Sequence, residues 1–423
     1  VNQPILLYKK FTGIAGLLFL SKALSMVANI IYARFLGPQE YGLYSYALAI
    51  IAMATVPTVA GLPNFLVREI ANYQVSKEEE YLTGIIKWSR NYVLVISVVV
   101  VVFMYAALYC SLFDDKISSL LWCAILLIPI KGMLTQQGAV LNGFRKPILA
   151  QLPVQIFASA FTLAAVLVFI LIDLEFTSSS LIDLSIISSL LGLLIGFVLI
   201  KKLIVLKKIA KYDKKRWHYS LVPFSFMYFI GALNAELASV LLGFLEKSES
   251  VAYFKVAMQA GTLIALGLTA IDALIMPNVA SLYKSENFKD TQDLISKSVR
   301  LVSIISLPLI FLLVFFGDLI IIFLFGSEYV SAYPILVVLC FGQLVNVIMG
   351  SVGLVLNMTG NENKALKSLS LTLVLNVMLL GYLVPNYGAM GAAVSVSCSL
   401  ICWNILMGIE VWRSTGLKTW LRF

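Results

Sequence analysis

Between Lys367 and Glu410 the chain runs for 42 residues without a charged side chain. A segment that is apolar on every side must be wrapped in protein or in lipid. A helix crosses the hydrocarbon core of a bilayer in about 20 residues. The run therefore has room for two crossings, and Pro385-Asn386-Tyr387-Gly388 supplies the turn between them. The shorter uncharged runs Asn91–Phe113, Ile148–Ile172 and Leu184–Ile200 each fit one. Composition agrees, with 60% hydrophobic and 13% charged residues, where a soluble domain carries about 25% charged.

Extending this reading predicts an all-α polytopic membrane protein of about twelve segments. They fall near 12–34, 43–67, 91–113, 117–140, 148–172, 179–200, 219–245, 251–276, 297–317, 331–357, 366–384 and 388–412. Segment 9 has an open end, because the apolar stretch Leu319–Phe325 follows Gly317-Asp318. Lys9 and Lys10 precede an apolar segment too long for a signal-peptide core, so it reads as the first span.

Basic residues test the parse, because short cytoplasmic connections collect Lys and Arg. Of 31 such residues, 25 fall at the two termini and in the even-to-odd connections or at the segment ends that border them, as Lys297, Arg300 and Lys367 do. The odd-to-even connections hold Arg34, Lys116 and Lys247, and Lys22, Lys131 and Lys255 lie inside segments. A wrong segment count would mix these classes. The asymmetry places both termini in the cytoplasm and accounts for the net charge of +9 without a nucleic-acid partner. The densest cluster, Lys201–Arg216, separates two halves of six segments. The organisation expected is an N-terminal lobe at 1–200, a basic cytoplasmic connector at 201–217 and a C-terminal lobe at 218–423. The halves echo each other weakly. Arg34-Phe35-Leu36 to Tyr44 aligns with Gly243-Phe244-Leu245 to Tyr253, and Gly138–Asn142 with Gly353–Asn357. Equivalent segments then run in the same direction, as in parallel repeats with a substrate site at their interface.

Ionisable groups within a bilayer cost about 2.5–3.5 kcal/mol each and usually face a cavity or a partner. Here they are Lys22, Lys131, Glu236, Lys255 and Asp272, with Arg34 and Arg68 at segment ends. Each lysine heads a polar stripe at helical spacing: Lys22, Ser25 and Asn29; Lys131, Thr135, Gly138 and Asn142; Lys255, Gln259 and Thr262. Segment 10 adds Gln343, Asn346, Gly350, Gly353 and Asn357 as one expected stripe, for which close helix packing explains as much as a cavity does. Lys22 and Lys131 have no acidic neighbour at their depth in their own half. Glu236 and Lys255 fall in the outer half of adjacent segments and form a candidate ion pair. The excess of lysine suits an anionic cargo. The prolines within spans, among them Pro153 and Pro308, allow bends or fix static kinks.

Other chemistry finds little support. Cys110, Cys123, Cys340, Cys398 and Cys402 lack metal-ligand spacing and read as buried free thiols, with a Cys110–Cys123 bridge a minor alternative. The single histidine, His218, has no second ligand or catalytic partner in its vicinity. No catalytic residues, metal or cofactor are expected, and the chain does not read as an enzyme.

The stretch Tyr32-Ala33-Arg34-Phe35-Leu36-Gly37-Pro38-Gln39-Glu40-Tyr41-Gly42-Leu43-Tyr44 resembles the polysaccharide (O-antigen type) flippases of the multidrug/oligosaccharidyl-lipid/polysaccharide exporter superfamily. Gly61–Ala71, reading Gly-Leu-Pro-Asn-Phe-Leu-Val-Arg-Glu-Ile-Ala, resembles the end of their second segment. The resemblance implies two six-helix lobes around a central cavity in the bacterial inner membrane. It also implies a cargo, an undecaprenyl-pyrophosphate-linked oligosaccharide carried from the inner to the outer leaflet, with a proton or sodium ion as a possible driver. Relatives that flip the peptidoglycan precursor generally have fourteen helices, so a count of twelve disfavours that cargo. Charged, often basic, cavity residues are common in the family, and here Lys22, Lys131 and Lys255 could play that part. Lys22, Asn29, Arg34, Lys131, Thr135, Lys255, Gln259 and Asn346 together are the candidate substrate-cavity residues. A drug or cation antiporter of the same fold is the first alternative, and it would call for acidic residues in the first-half cavity. A glycan polymerase or ligase is the second, and it would need a sizeable outer loop.

Overall fold

The computed structural model describes residues 3–172, 175–204 and 209–421. Among these the chain is helical nearly throughout and forms no strand. In hydrocarbon each backbone N–H and C=O must be satisfied within its own segment, which a helix achieves and an open strand does not. The first helices are α1 (Gln3–Val59), α2 (Leu62–Ser76), α3 (Glu79–Tyr109), α4 (Asp115–Ala124), α5 (Leu127–Gly143), α6 (Pro147–Gln151), α7 (Ala158–Leu171) and α8 (Ser178–Leu203). After the basic connector come α9 (Lys214–Leu245), α10 (Ser248–Lys284), α11 (Phe288–Phe325), α12 (Ala332–Met349), α13 (Val352–Met358) and α14 (Glu362–Thr415).

Among the described residues eight helical stretches are long and apolar enough to cross a bilayer, or nine if α4 and α5, bent by 43° at Ile125-Leu126, form one span. Two of these stretches, Leu20–Ser76 and Glu362–Thr415, run to 57 and 54 residues, more than twice what one crossing needs. Each contains a sharp kink between two helical stretches. The backbone leaves the helical region at Gly37 (φ 71°) in α1 and at Gly388 (φ 53°) in α14. Positive φ is open to glycine at little cost, and both sites fall where the sequence puts a connection between spans. The protein is a multi-pass membrane protein. Its apolar side chains point outward accordingly: on α3, Val98 is 62% and Phe103 73% exposed, a surface that only lipid accommodates.

Two open points are decided and two expectations need correction. Segment 9, whose end was open, extends past Gly317: α11 continues unbroken to Phe325, with Gly317 buried against Tyr333 and Leu336. Segment 10 is not one helix: α12 ends at Gly350 (φ 68°, ψ −155°) and α13 begins after Ser351. Its polar stripe is therefore split between two helices. Segment 5 contains a π-helical stretch, Leu152–Phe157, between α6 and α7. Pro153 lies in it, and a residue without an N–H widens the turn there. The five cysteines are all free, but only Cys340 is buried; Cys110, Cys123 and Cys398 are exposed and Cys402 is half-buried. A thiol is apolar enough for a lipid-facing wall, so apolar sequence did not imply protein burial.

The chain divides into two compact units. The first comprises Ser21–Leu36 and Leu43–Val240; the second comprises Val1–Leu20, Gly37–Gly42 and Leu241–Phe423. In the first, α5 packs against α2, α3 and α8. Side-chain amides join these helices: Gln136 Nε2 donates to Ser89 Oγ at 3.0 Å, and Gln137 Nε2 to the Leu193 carbonyl at 3.3 Å. In the second, α12 packs on α10, α11 and α14. Tyr329 is buried there with its ring edge-on to Tyr41 and Tyr253. Tyr41 comes from the stretch that carries the family resemblance.

Candidate functional site

Helix α5 is enclosed on most sides. From Lys131 to Asn142 the residues that are not buried are Lys131, Met133, Thr135, Gly138 and Asn142. Four of the five are the stripe expected from sequence, so its polar and small positions form the open face of a helix otherwise packed in protein. Gln136 and Gln137, buried on its other sides, serve as packing amides. Thr135 Oγ1 donates to the Lys131 carbonyl at 2.8 Å, which ties its hydroxyl to the helix. Lys131 is the charged residue of this half-open face.

The expectation that Lys131 has no acidic neighbour in its own half of the sequence leaves room for one from the other half, and Glu236 of α9 acts on it electrostatically. The two residues share the first unit, although they come from different halves of the sequence. Lys255, the partner expected for Glu236, lies on α10 in the second unit.

The other stripes differ in quality. On α10, Lys255 and Gln259 are half-buried and Thr262 exposed, while Phe254, Val256, Ala257 and Ala260 are buried, so an open polar face recurs there. On α1, Lys22 is exposed and Asn29 half-buried, with apolar neighbours equally accessible. Arg34 is exposed near the end of the same stretch. Asn346 on α12 donates to Gln343 Oε1 at 3.1 Å, so part of that stripe is satisfied within its own helix.

A second cluster, not foreseen as a unit, lies in the first unit where α2 ends and α9 begins. Glu69 is 3% exposed, and Arg68 and Arg216 approach it at 2.9 and 3.7 Å. The Arg68 guanidinium also stands 4.9 Å from the Phe224 ring centroid. Beside them the fully buried Trp217 donates from Nε1 to Tyr73 Oη at 2.9 Å and packs 5.4 Å from Trp88. The described part of the connector is docked here. Lys211 N donates to the Glu80 carbonyl at 3.0 Å, and Lys211 Nζ reaches the Glu80 carboxylate at 2.7 Å. That hydrogen bond raises the Lys211 ammonium above its usual value. The signal in sequence was an Arg-Glu pair closing segment 2 and a tryptophan following a basic run. His218 pairs through Nδ1 with the Lys214 carbonyl at 2.7 Å and lies edge-on to Trp88. Among the described residues, no group of three or more His, Cys, Asp or Glu could hold a metal ion.

Residues 31–334, which take in the Tyr32–Tyr44 stretch, α5 and α10, match the model of a family described as polysaccharide biosynthesis protein. The chain belongs to that family. This polysaccharide biosynthesis protein is 24% identical over 418 residues to an uncharacterized membrane protein of Methanocaldococcus jannaschii, covering 93% of this chain and 81% of the relative. It is 23% identical over 403 residues to a Shigella flexneri protein named as an O-antigen transporter, covering 89% and 90%. Among solved structures it is similar to the lipid II flippase MurJ in an inward closed conformation. The TM-score is 0.74 and the identity 14%, with 94% of this chain and 87% of that one covered. That likeness establishes the fold of this family member.

Proposed function

We propose that the chain is a flippase for a lipid-linked oligosaccharide, moving an undecaprenyl-pyrophosphate-linked repeat unit of a surface polysaccharide from the inner to the outer leaflet by alternating access. The observation that carries this reading is membership of a polysaccharide biosynthesis family by a chain made of membrane-crossing helices. Such a pathway needs a membrane step that transfers its lipid-linked intermediate. The Shigella relative, named as an O-antigen transporter, supports that step over an enzymatic one. The basic open faces of α5 and α10 favour an anionic cargo over the cationic cargo of a drug antiporter.

The same proposal covers the finer points. Lys22, Asn29, Arg34, Lys131, Thr135, Lys255, Gln259 and Asn346 line the path. Twelve spans, six on each side of the 201–217 connector, cross the bacterial inner membrane with both termini in the cytoplasm, and a proton or sodium ion drives the cycle. The cationic groups should hold the pyrophosphate loosely, since tight binding at one site would stop release.

The test is restoration of surface polysaccharide in a flippase-deficient cell, with membrane protein level measured alongside. Wild type is expected to restore it, Lys131→Arg to keep most of that activity, and Lys22→Ala/Lys131→Ala to lose it. Full restoration by the double alanine variant at normal expression would return both lysines to a structural role.

A further inference from the structure

The second unit holds a carboxylate that the reading above leaves unused. Asp272, on α10, is half-buried, and its Oδ1 accepts a hydrogen bond from Ser351 Oγ. Among the described residues it has no ion-pair partner. Such a charge in an apolar wall is costly unless it is paired or neutralised.

Its one partner stands at a joint. Gly350 ends α12 and Ser351 (φ −80°, ψ 53°) precedes the seven residues of α13. The two sides of the joint are held differently. The α12 side is anchored by the segment after α14: Leu421 N donates to the Ile348 carbonyl at 2.8 Å. The Gln292 side-chain amide of α11 pairs both ways with the Lys418 peptide, each bond 2.8 Å, and Thr419 is fully buried. The α13 side packs on α14 and α10 with Val352, Val355 and Leu356 buried, and its first polar tether is the hydroxyl that Asp272 holds. A hydrogen bond to an ionised carboxylate is roughly twice as strong as one between neutral groups, so the hold depends on the charge of Asp272.

Four helices pack against α10, namely α11, α12, α13 and α14. Helices α12 and α13 contain no Asp, Glu, Lys, Arg or His. Lys297 and Arg300 of α11, Lys364, Lys367, Glu410 and Arg413 of α14, and Lys284 of α10 itself are charged groups on these helices, and among the described residues none forms an ion pair with Asp272. A bound metal ion would want about six oxygen ligands, where the structure offers one carboxylate and one hydroxyl. A proton needs only the carboxylate.

We propose that Asp272 is a proton-binding site whose occupancy releases Ser351 and frees α13 to move about the Gly350-Ser351 joint. The proton adds to the carboxylate, and the bond weakened is the Ser351–Asp272 hydrogen bond. The purpose of this movement in a transport cycle rests on the flippase reading; the chemistry of the site does not.

Hydrogen exchange of the full chain in lipid nanodiscs tests it, with rates for 352–358 divided by their intrinsic values at each pH. In wild type, protection is expected to fall about tenfold on acidification, whether or not sodium is present. In Asp272→Asn and in Ser351→Ala it should be low and independent of pH, with α3 protected as in wild type. Should Asp272→Asn fail to fold, Ser351→Ala carries the test alone, because it leaves the carboxylate in place. Wild-type protection that ignores pH, or that follows sodium at fixed pH, would overturn the proposal. Failure of the flippase reading would appear instead in the polysaccharide assay and leave this measurement untouched.

Discussion

Lys131 shows how one residue changes meaning once its neighbours are known. From sequence it was a basic group isolated in its own half, and an anionic cargo was its natural complement. The structure puts Glu236 in the same unit, where it acts on Lys131 electrostatically. Two roles then compete. If the pair serves only to balance charge, exchanging the two residues should preserve it, since the attraction does not depend on which helix carries which sign. If Lys131 meets an anion on the open face of α5, the exchange puts a carboxylate at Thr135's side and repels the cargo. We expect Lys131→Glu/Glu236→Lys to reach wild-type levels in the membrane yet to restore less than about a tenth of the polysaccharide, one unit of 1.4 kcal/mol. Recovery of both protein level and activity would assign the pair to stability.

The connector between the halves is charged enough to read as a solvated linker, yet its described part is docked by backbone and tryptophan contacts. Gly84 of α3 makes the docking possible. A Cβ there would lie 1.8 Å from the Lys211 carbonyl oxygen and 3.3 Å from the Trp217 ring. Gly84→Ala should therefore lift residues 209–213 from α3, and trypsin should cut at Lys211 to Arg216 at least about fivefold faster in the mildly solubilised protein, because the exposed backbone opens locally. Lys211→Ala, which removes a solvent-exposed ion pair worth little, should leave the remaining sites cut at the wild-type rate. Equal cleavage of Gly84→Ala and wild type would show that the connector is not held where the structure has it. Neither contact was legible in the sequence, where Gly84 is one glycine among many and Trp217 one aromatic residue at the edge of a basic run. Both depend on the close approach of segments more than 100 residues apart, which no local pattern records.

For the molecule as a whole, topology is the property most directly open to measurement. Reporter fusions at both termini and after Arg216 should read cytoplasmic, and fusions near Asp115 and Glu328 external, because the basic residues divide 25 to 3 between alternate connections. A cytoplasmic reading at Asp115 would overturn the assignment of the first four segments.

What the sequence determined alone follows from the solvent. Long uncharged runs in a bilayer have one backbone solution, so the helical class, the multi-pass character and the places of most helices were legible. The α5 stripe was legible too, because helical periodicity maps sequence spacing directly onto a face. Tertiary structure decided what periodicity cannot carry. It joined Glu236 to the unit of Lys131, broke segment 10 at Gly350 where a single stripe was expected, carried α11 past Gly317, and left three cysteines exposed. The reason is common to all four. Lipid and protein interior are both apolar, so hydrophobicity locates a helix in the membrane without saying which of its sides meets protein, and packing alone makes that choice.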